Sequence, residues 1–424
     1  MNDPKVAVLG CGTMGQGIAR VCAANGLRTV LFKLTNEQNV DEVRTTFQDG
    51  LQKEALSPKA KLSKEEHLDI LGNLSWSTWT DRVYNIKDCD VVIESTEEKL
   101  STKQDLFKQL DFLVKPSAIL ASNTSTLSIT ELASVTKRAD RVIGFHAFNP
   151  FKVMKLVEVA KTKSTSAKTV EAGRTFAQRL GKMPIVVGDT PGFIVNRLLT
   201  PYLLDAIRGY KTGPASMEDI DSAVKTDYKF PMGPIELADY IGLDILLAMA
   251  KSLHSSLHEE RFTPPAELQS LVDKNMLGKK TKIGFYDYKA VKRTPALTDI
   301  TTNFVADHLL TPYLLDAIRC FRNGLASIED IDLAMELGCG LPKGPFALCD
   351  EIGLEVILAK AKHWYGLSQD ERFVSPLLLN RLVDSKMFGE KSEKKIGFYD
   401  YTNGSKQTNS AITELINFDR SYAW

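Results

Sequence analysis

The sequence predicts an α/β N-terminal domain built on a parallel sheet, followed by two tandem all-α domains. Three observations predict this. The first 190 residues alternate strand-like and helix-like segments, the pattern turns all-helical after Thr190-Pro191-Gly192, and the helical part repeats itself. Lys5–Gly10 is a short apolar run ending in glycine, Ile18–Ala24 reads as a helix and Arg28–Phe32 as a second strand. Asp90–Glu94, Ala118–Ala121 and Val142–Phe145 are apolar runs of the buried-strand kind, separated by helical stretches such as Lys99–Leu113. Such alternation implies a parallel sheet covered on both faces. The long, charged stretch Asp41–Leu71 reads as a helical hairpin inserted into this domain.

The repeat is explicit. Thr200-Pro-Tyr-Leu-Leu-Asp-Ala-Ile-Arg208 recurs unchanged at Thr311–Arg319. Ala215–Asp221 recurs as Ala326–Asp332, and Pro231-Met-Gly-Pro234 as Pro342-Lys-Gly-Pro345, each 111 positions on. Ile283–Tyr288 returns at Ile396–Tyr401, an offset of 113, so two residues were inserted near the end. Two copies are too few for a solenoid. The predicted domains are 1–189, 190–294 and 295–410, with 411–424 a C-terminal tail; the polar stretch 402–424, ending in Trp424, reads as loosely held.

At 424 residues the chain has room for two to four domains. It carries 53 basic and 53 acidic residues, and this balance argues against nucleic-acid or anionic-membrane partners. No apolar run approaches the roughly 18 residues of a membrane span. Met1-Asn-Asp-Pro4 runs straight into the first strand, which predicts a cytoplasmic chain without a signal or transit peptide. The six cysteines form no CxxC pair and no metal-ligand spacing, so they read as reduced packing thiols and no metal is expected.

Gly10-Cys-Gly12-Thr13-Met14-Gly15 follows a strand and opens a helix. The first glycine permits a tight turn, the second lets backbone approach a pyrophosphate, and the third allows close helix–strand packing. The helix N-terminus then faces the phosphates. In this context the motif predicts a Rossmann-type dinucleotide site. The second strand ends in Lys33, where NAD-preferring sites place an acid to bind the ribose. Two readings stand: Lys33 attracts a 2′-phosphate, so that NADP is used or NAD discrimination is weak, or it points to solvent and selects nothing.

Of six histidines, His67, His254, His258, His308 and His363 lie in polar helical contexts and read as surface residues. His146 instead follows a buried strand, at the sheet edge where ligands bind. Twelve residues on, Glu158 interrupts an apolar strand-like run. A carboxylate there needs a partner, because an unpaired buried charge is costly. A His–Glu pair satisfies both groups and is open to two readings, a general base for alcohol oxidation or a structural pair. Ser122–Thr126, after the strand 118–121, is either a turn capping the next helix, with Ser128 and Glu131 as a capping box, or a set of donors to a substrate oxygen. Asn196 opens the helical region and is a candidate to face the cleft; the duplicate carries Asp307 and His308 at 196 and 197.

Gly10–Gly15, Val92-Ile-Glu94, Glu97-Glu98-Lys99, Ser122–Ser125, Gly144–Pro150, Met154–Glu158 and Asp189–Arg197 together resemble the 3-hydroxyacyl-CoA dehydrogenases, including the 3-hydroxybutyryl-CoA dehydrogenases. The resemblance covers residues 5–290 and continues in the duplicate to about residue 401. It implies that His146 takes the 3-hydroxyl proton, that Glu158 orients His146, and that Ser125 and Asn196 hold the reacting oxygens. It also implies contacts of Glu98, Lys103, Asn149 and Lys280 with NAD or NADP, and of Lys53 with the CoA phosphates. Lys33 replaces the family's Asp. Single-copy members of the family resemble dimers paired through their helical domains, so the second copy is expected to supply that partner patch within one chain. This favours a monomeric pseudo-dimer over a homodimer. The competing readings are a dehydrogenase of a free hydroxy acid and a non-catalytic dinucleotide-binding protein.

Overall fold

The computed structural model describes residues 3–34, 40–56, 63–212, 215–289, 302–412 and 414–415. The expected boundary at 294/295 and the end of the tail, Trp424 included, lie outside the described residues. The chain divides into two compact units, Met1–Thr190 and Pro191–Trp424.

In the first unit the order is β1 (Val6–Leu9), α1 (Thr13–Ala24), β2 (Thr29–Lys33), α2 (Val40–Leu56), α3 (Lys64–Asn73), β3 (Leu74–Thr78), α4 (Arg82–Ile86) and β4 (Val91–Glu94). It continues with α5 (Leu100–Leu113), β5 (Ile119–Ser122), α6 (Ile129–Ala133), β6 (Val142–Ala147), β7 (Leu156–Lys161), α7 (Ala167–Arg179) and β8 (Met183–Gly188). The expected inserted hairpin is α2 and α3. The eight strands form one sheet in the order β3-β2-β1-β4-β5-β6-β7-β8. The chain leaves β1 toward β2 and β3, then returns to the other side of β1 as β4. That reversal is the switch point where open α/β sheets bind ligands.

The sheet differs from the all-parallel expectation in one place. β7 runs antiparallel to β6. Only residues 148–155 connect them, too short a link for a parallel crossover of a dozen or more residues. β3 and β8 were not read from the sequence; the β3 segment Leu-Ser-Trp-Ser-Thr is half polar and buries only Leu74 and Ser77, without alternation.

The second unit holds α8 (Val195–Thr212), α9 (Met217–Tyr228), α10 (Pro234–Ile241), α11 (Leu243–Leu257) and α12 (Ala266–Asp273). The same order returns as α13 (Thr302–Arg322), α14 (Ile328–Cys339), α15 (Pro345–Ile352), α16 (Leu354–Ser368) and α17 (Leu377–Asp384). The repeated words of the sequence turn out to be buried carboxylate clamps. Asp221 accepts from the backbone N–H of Ile235 (2.8 Å) and Glu236 (3.0 Å) and from the Tyr286 hydroxyl (2.8 Å). Asp332 repeats this with Phe346 (2.7 Å), Ala347 (3.0 Å) and Tyr399 (2.8 Å). A Cβ at Gly233 or Gly344 would lie 2.2 or 2.3 Å from those aspartates, which is why Pro-x-Gly-Pro is kept. Asp239 and Asp350 hold the Ile-Gly-Phe-Tyr-Asp-Tyr loops through Phe285 and Tyr286, and through Phe398 and Tyr399.

The two copies meet by reciprocal exchange. Arg261 of the first copy pairs with Asp316 of the second, and Arg372 of the second pairs with Asp205 of the first. These residues are each other's equivalents at the 111-residue offset. Tyr202 faces its own equivalent, Tyr313, with ring centroids 5.6 Å apart. This is the geometry of an isologous interface, in which each patch meets its own copy, built within one chain.

The tail differs from expectation. β10 (Gln407–Thr408) pairs antiparallel with β9 (Tyr399–Asp400), Ile412 is buried, and Arg381 donates to the Leu415 carbonyl. The tail is therefore anchored at these points, with Asn409, also buried, donating to the Gly397 carbonyl of the second copy's last loop (2.8 Å). His308 is also not a surface residue: its ring packs 4.7 Å from Trp364 and 5.2 Å from Phe373, and burial pushes its pKa down. All six cysteines are free thiols, four of them buried. Among the described residues no helix is long and apolar enough to cross a membrane, and no group of side chains is placed to hold a metal.

Candidate active site

The glycine turn is built as its motif requires. Gly10 has φ +114°, and a Cβ there would lie 2.2 Å from the Ser95 carbonyl oxygen across the switch point. A Cβ on Gly15 would lie 1.9 Å from the Gly10 carbonyl oxygen. Gly12 has nothing within 4 Å of its missing Cβ, so its backbone opens onto free space at the start of α1. No side chain caps α1 and no acid stands in its first turn. The N–H groups of Thr13, Met14 and Gly15 therefore begin a helix whose positive end is not neutralised locally, which fits a pyrophosphate. Lys33, the last residue of β2, is 5% exposed.

The carboxyl end of β4 carries a second layer. Glu94 is fully buried and binds Lys103 (2.6 Å), the Ser122 hydroxyl (2.5 Å) and the Thr96 N–H (2.6 Å). Lys103, also buried, reaches Glu98 at 3.4 Å. Glu98 accepts from the Thr124 hydroxyl (2.5 Å) and from the backbone N–H of Ser125 (3.0 Å) and Thr126 (3.2 Å). Burial pushes the Glu98 carboxyl up, but Lys103 and these donors outweigh it and hold the group below its ordinary value. Glu98 stays charged and clamps the loop that carries Ser125. The Lys103 amine is spent on the two carboxylates, so its place in the site is behind Glu98. Ser128 caps α6 by accepting from the Glu131 N–H (3.2 Å), while Asp189 accepts from the Ile129 (2.9 Å) and Thr130 (2.7 Å) N–H groups.

His146 and Glu158 stand directly opposite each other in the antiparallel β6–β7 ladder. Opposed residues share a face with Cβ atoms about 5 Å apart, so a twelve-residue spacing becomes a contact. His146 Nδ1 lies 2.6 Å from Glu158 Oε2. His146 is 6% exposed and Glu158 is wholly buried. A carboxylate accepting from Nδ1–H leaves the neutral ring's lone pair on Nε2, the form a general base needs. Phe148 packs 4.5 Å from the imidazole, and Asn123 accepts from the Ala147 N–H (2.9 Å), tying the Ser125 loop to the end of β6. Asn149 follows, exposed, in a cis peptide with Pro150.

The first unit thus gathers Gly10–Gly15, Glu98, Lys103, Ser125 and His146 at the carboxyl ends of neighbouring strands β1, β4, β5 and β6, with Glu158 facing His146 from β7. Lys53 is exposed in the last turn of α2. Asn196 and Lys280 belong to the second unit. Asn196 is buried in the first turn of α8, and Lys280 is exposed and bonded to Asp244 at 2.5 Å. Sequence reasoning gave no role to Glu94, and read Asn123 and Thr124 only as members of the Ser122–Thr126 set. Glu94 had a readable signal: a charge ending an apolar strand demands a partner, the argument that singled out Glu158.

The family model described as 3-hydroxyacyl-CoA dehydrogenase, NAD binding domain, matches residues 5–190, and that of the C-terminal domain matches twice, at 192–288 and 304–401. The chain belongs to the 3-hydroxyacyl-CoA dehydrogenase family. It is 43% identical to 3-hydroxybutyryl-CoA dehydrogenase of Clostridioides difficile over 67% of this chain and 99% of that one. It is 46% identical to the mitochondrial hydroxyacyl-coenzyme A dehydrogenase of Homo sapiens, over 67% of this chain and 91% of that one. Among solved structures, 3-hydroxybutyryl-CoA dehydrogenase from Escherichia coli matches with TM-score 0.83 and 29% identity, covering 91% of this chain and 100% of that chain. The dehydrogenase part of multifunctional enzyme 1 from C. elegans covers 89% of both chains, with TM-score 0.61 and 25% identity. The chain is therefore an oxidoreductase with a nicotinamide dinucleotide domain.

Proposed function

We propose that this dehydrogenase interconverts a short-chain (3S)-3-hydroxyacyl-CoA and its 3-oxoacyl-CoA, with His146 as general base. The His146–Glu158 pair at 2.6 Å, on the edge that also carries the glycine turn, supports this reading most strongly. When bound, the nicotinamide accepts or supplies the hydride at C3. In the oxidation direction Nε2 of His146 takes the hydroxyl proton while Glu158 stabilises the resulting imidazolium. Ser125, presented by the loop that Glu98 clamps, holds the reacting oxygen, and Asn196 is assigned the same task. Lys103 positions Glu98, and Lys53 is the candidate for the CoA phosphates. A positioned base is worth about 10²–10⁴ in rate. His146→Gln is expected to keep dinucleotide binding and lose turnover by that order, followed by nicotinamide absorbance with acetoacetyl-CoA. Near-normal turnover would remove His146 from the mechanism. Activity retained on the free 3-hydroxy acid would favour the competing substrate class.

Cofactor choice rests on Lys33. Comparing kcat/KM for NADP(H) and NAD(H) decides it, and a strong NAD preference removes the 2′-phosphate role. The reciprocal Arg–Asp exchange between the helical copies supports a monomeric pseudo-dimer. Light scattering at low concentration is expected to give the mass of one chain; twice that mass would favour the homodimer.

A further inference from the structure

A cavity of about 460 Å³ opens on the seam between the helical copies, lined by none of the residues that the proposed reaction uses. Arg197, Glu259 and Arg261 of the first copy line it, with Arg319, Arg322 and Ser375 of the second. Four guanidinium groups share this space, and two carboxylates answer them. Glu259 pairs with Arg197 (3.4 Å) and Arg261 (2.6 Å), while Asp316 pairs with Arg261 and with Arg319 (2.6 Å). Arg322 is exposed and has no ion pair or hydrogen bond among the described residues. Two positive charges are therefore left over.

The first copy shows how the same place is neutralised. Lys211, the equivalent of Arg322 at the 111-residue offset, pairs with Glu267 at 3.7 Å. Glu267 also stands in the first turn of α12, where an acid offsets the positive end of a helix. The second copy has Leu378 at that position, and α17 begins with no acid in its first turn and no side-chain cap. Leu377, at that helix start, lines the cavity and is exposed. The second copy has thus kept the cation and lost the carboxylate that answered both the cation and the helix end. The opposite side of the seam is also poorer by one cation, since the equivalent of Arg197 is His308, whose pKa burial pushes down.

We propose that this cavity binds a small phosphate-bearing anion, held by Arg322 and the Ser375 hydroxyl in the field of the other three arginines. A phosphate monoester carries a charge of about −1.5 to −2 at pH 7, which matches the two unanswered guanidinium charges. The planar fork of arginine binds two phosphate oxygens at once. Arg322 presents its donors to solvent, so a ligand can meet them. The Ser375 oxygen accepts from Asn380 (3.0 Å), which leaves its own proton to donate. A single carboxylate answers only half of the excess charge.

Calorimetry on the full chain saturated with NADH, titrated with inorganic pyrophosphate and with acetate, tests this. NADH fills the glycine turn, which would otherwise take phosphate as well. Arg322→Leu removes an exposed, unpaired cation and is expected to fold as the parent does. It is expected to weaken pyrophosphate binding by about tenfold or more, as loss of a charge-assisted hydrogen bond does. Lys211→Leu, the matched change in the first copy, is expected to stay within about twofold of the parent, because Glu267 already answers Lys211. Acetate is expected to bind the parent about tenfold or more weakly than pyrophosphate. No binding of pyrophosphate, equal affinity in Arg322→Leu and the parent, an equal loss in Lys211→Leu, or no preference over acetate would each overturn the proposal.

Discussion

The two helical copies keep the same frame and spend equivalent positions near the start of their first helix differently. In both, a buried aspartate of the second helix caps the third, and a second aspartate holds the closing tyrosine loop. At the position of Asn196, however, the second copy has Asp307, which accepts from the Tyr228 hydroxyl of the first copy (2.8 Å) and from Lys360 (2.7 Å). Next to it, His308 replaces Arg197 and sits among aromatic rings. Duplication therefore preserved what satisfies buried polar groups and turned over the position that the family resemblance assigns to substrate. The position that the resemblance assigns to substrate in one copy is used by the other to bind its twin.

Exchanging these residues breaks the comparison most sharply. On the proposed role of Asn196 as a donor to the reacting oxygen, Asn196→Asp is expected to replace that donor with a carboxylate, and loss of one such donor costs about 10²–10³ in kcat. Asp307→Asn, the reverse exchange, is expected to leave kcat within about twofold, because its partners, Tyr228 of the first copy and Lys360 of its own, lie within the helical copies. Steady-state kinetics on both variants check this. Equal losses would mean that the two positions do not differ in function.

Much of this contrast was legible in the sequence, and the reason is local. The glycine turn is a six-residue motif, and Glu158 betrayed itself as a charge in an apolar run. The repeated words were visible too, though not their purpose, since Asp221 meets Tyr286 only after 65 residues of chain. The antiparallel turn of β7 hid in a short connection, and β3 in a half-polar segment. The clamp of Glu94, Lys103 and Glu98 on the Ser125 loop joins three segments, and no spacing in the chain announces it. His308 was misread because its neighbours in sequence are polar, while the rings that bury it come from α16 and the turn after it.

The seam itself offers a test of symmetry. Asp205 and Asp316 are nearly buried, and each serves an arginine of its own copy and one of the other. Removing one partner of a buried ion pair costs about 3 kcal/mol. Asp205→Ala and Asp316→Ala are each expected to lose about that much in denaturant unfolding, within about 1 kcal/mol of one another. A large loss for one and none for the other would show that the exchange is carried by a single pair.

The smallest effect is a pH slope shared by the copies. Burial pushes Asp221 up to about 6 and Asp350 up to about 7, against the hydrogen bonds each accepts. A carboxyl raised in the folded state holds its proton more tightly there than in the unfolded chain. Its stabilising share is full below about pH 4 and is lost as pH rises through 6 for Asp221 and 7 for Asp350. The slope per group is at most about 1.4 kcal/mol per pH unit. Asp350→Asn carries no such proton, so its unfolding free energy is expected to fall less steeply than the parent's between pH 5 and 7, whatever its absolute stability. Parallel slopes in the two proteins would mean that Asp350 is already ionised throughout that range and that its three donors, not burial, govern its charge.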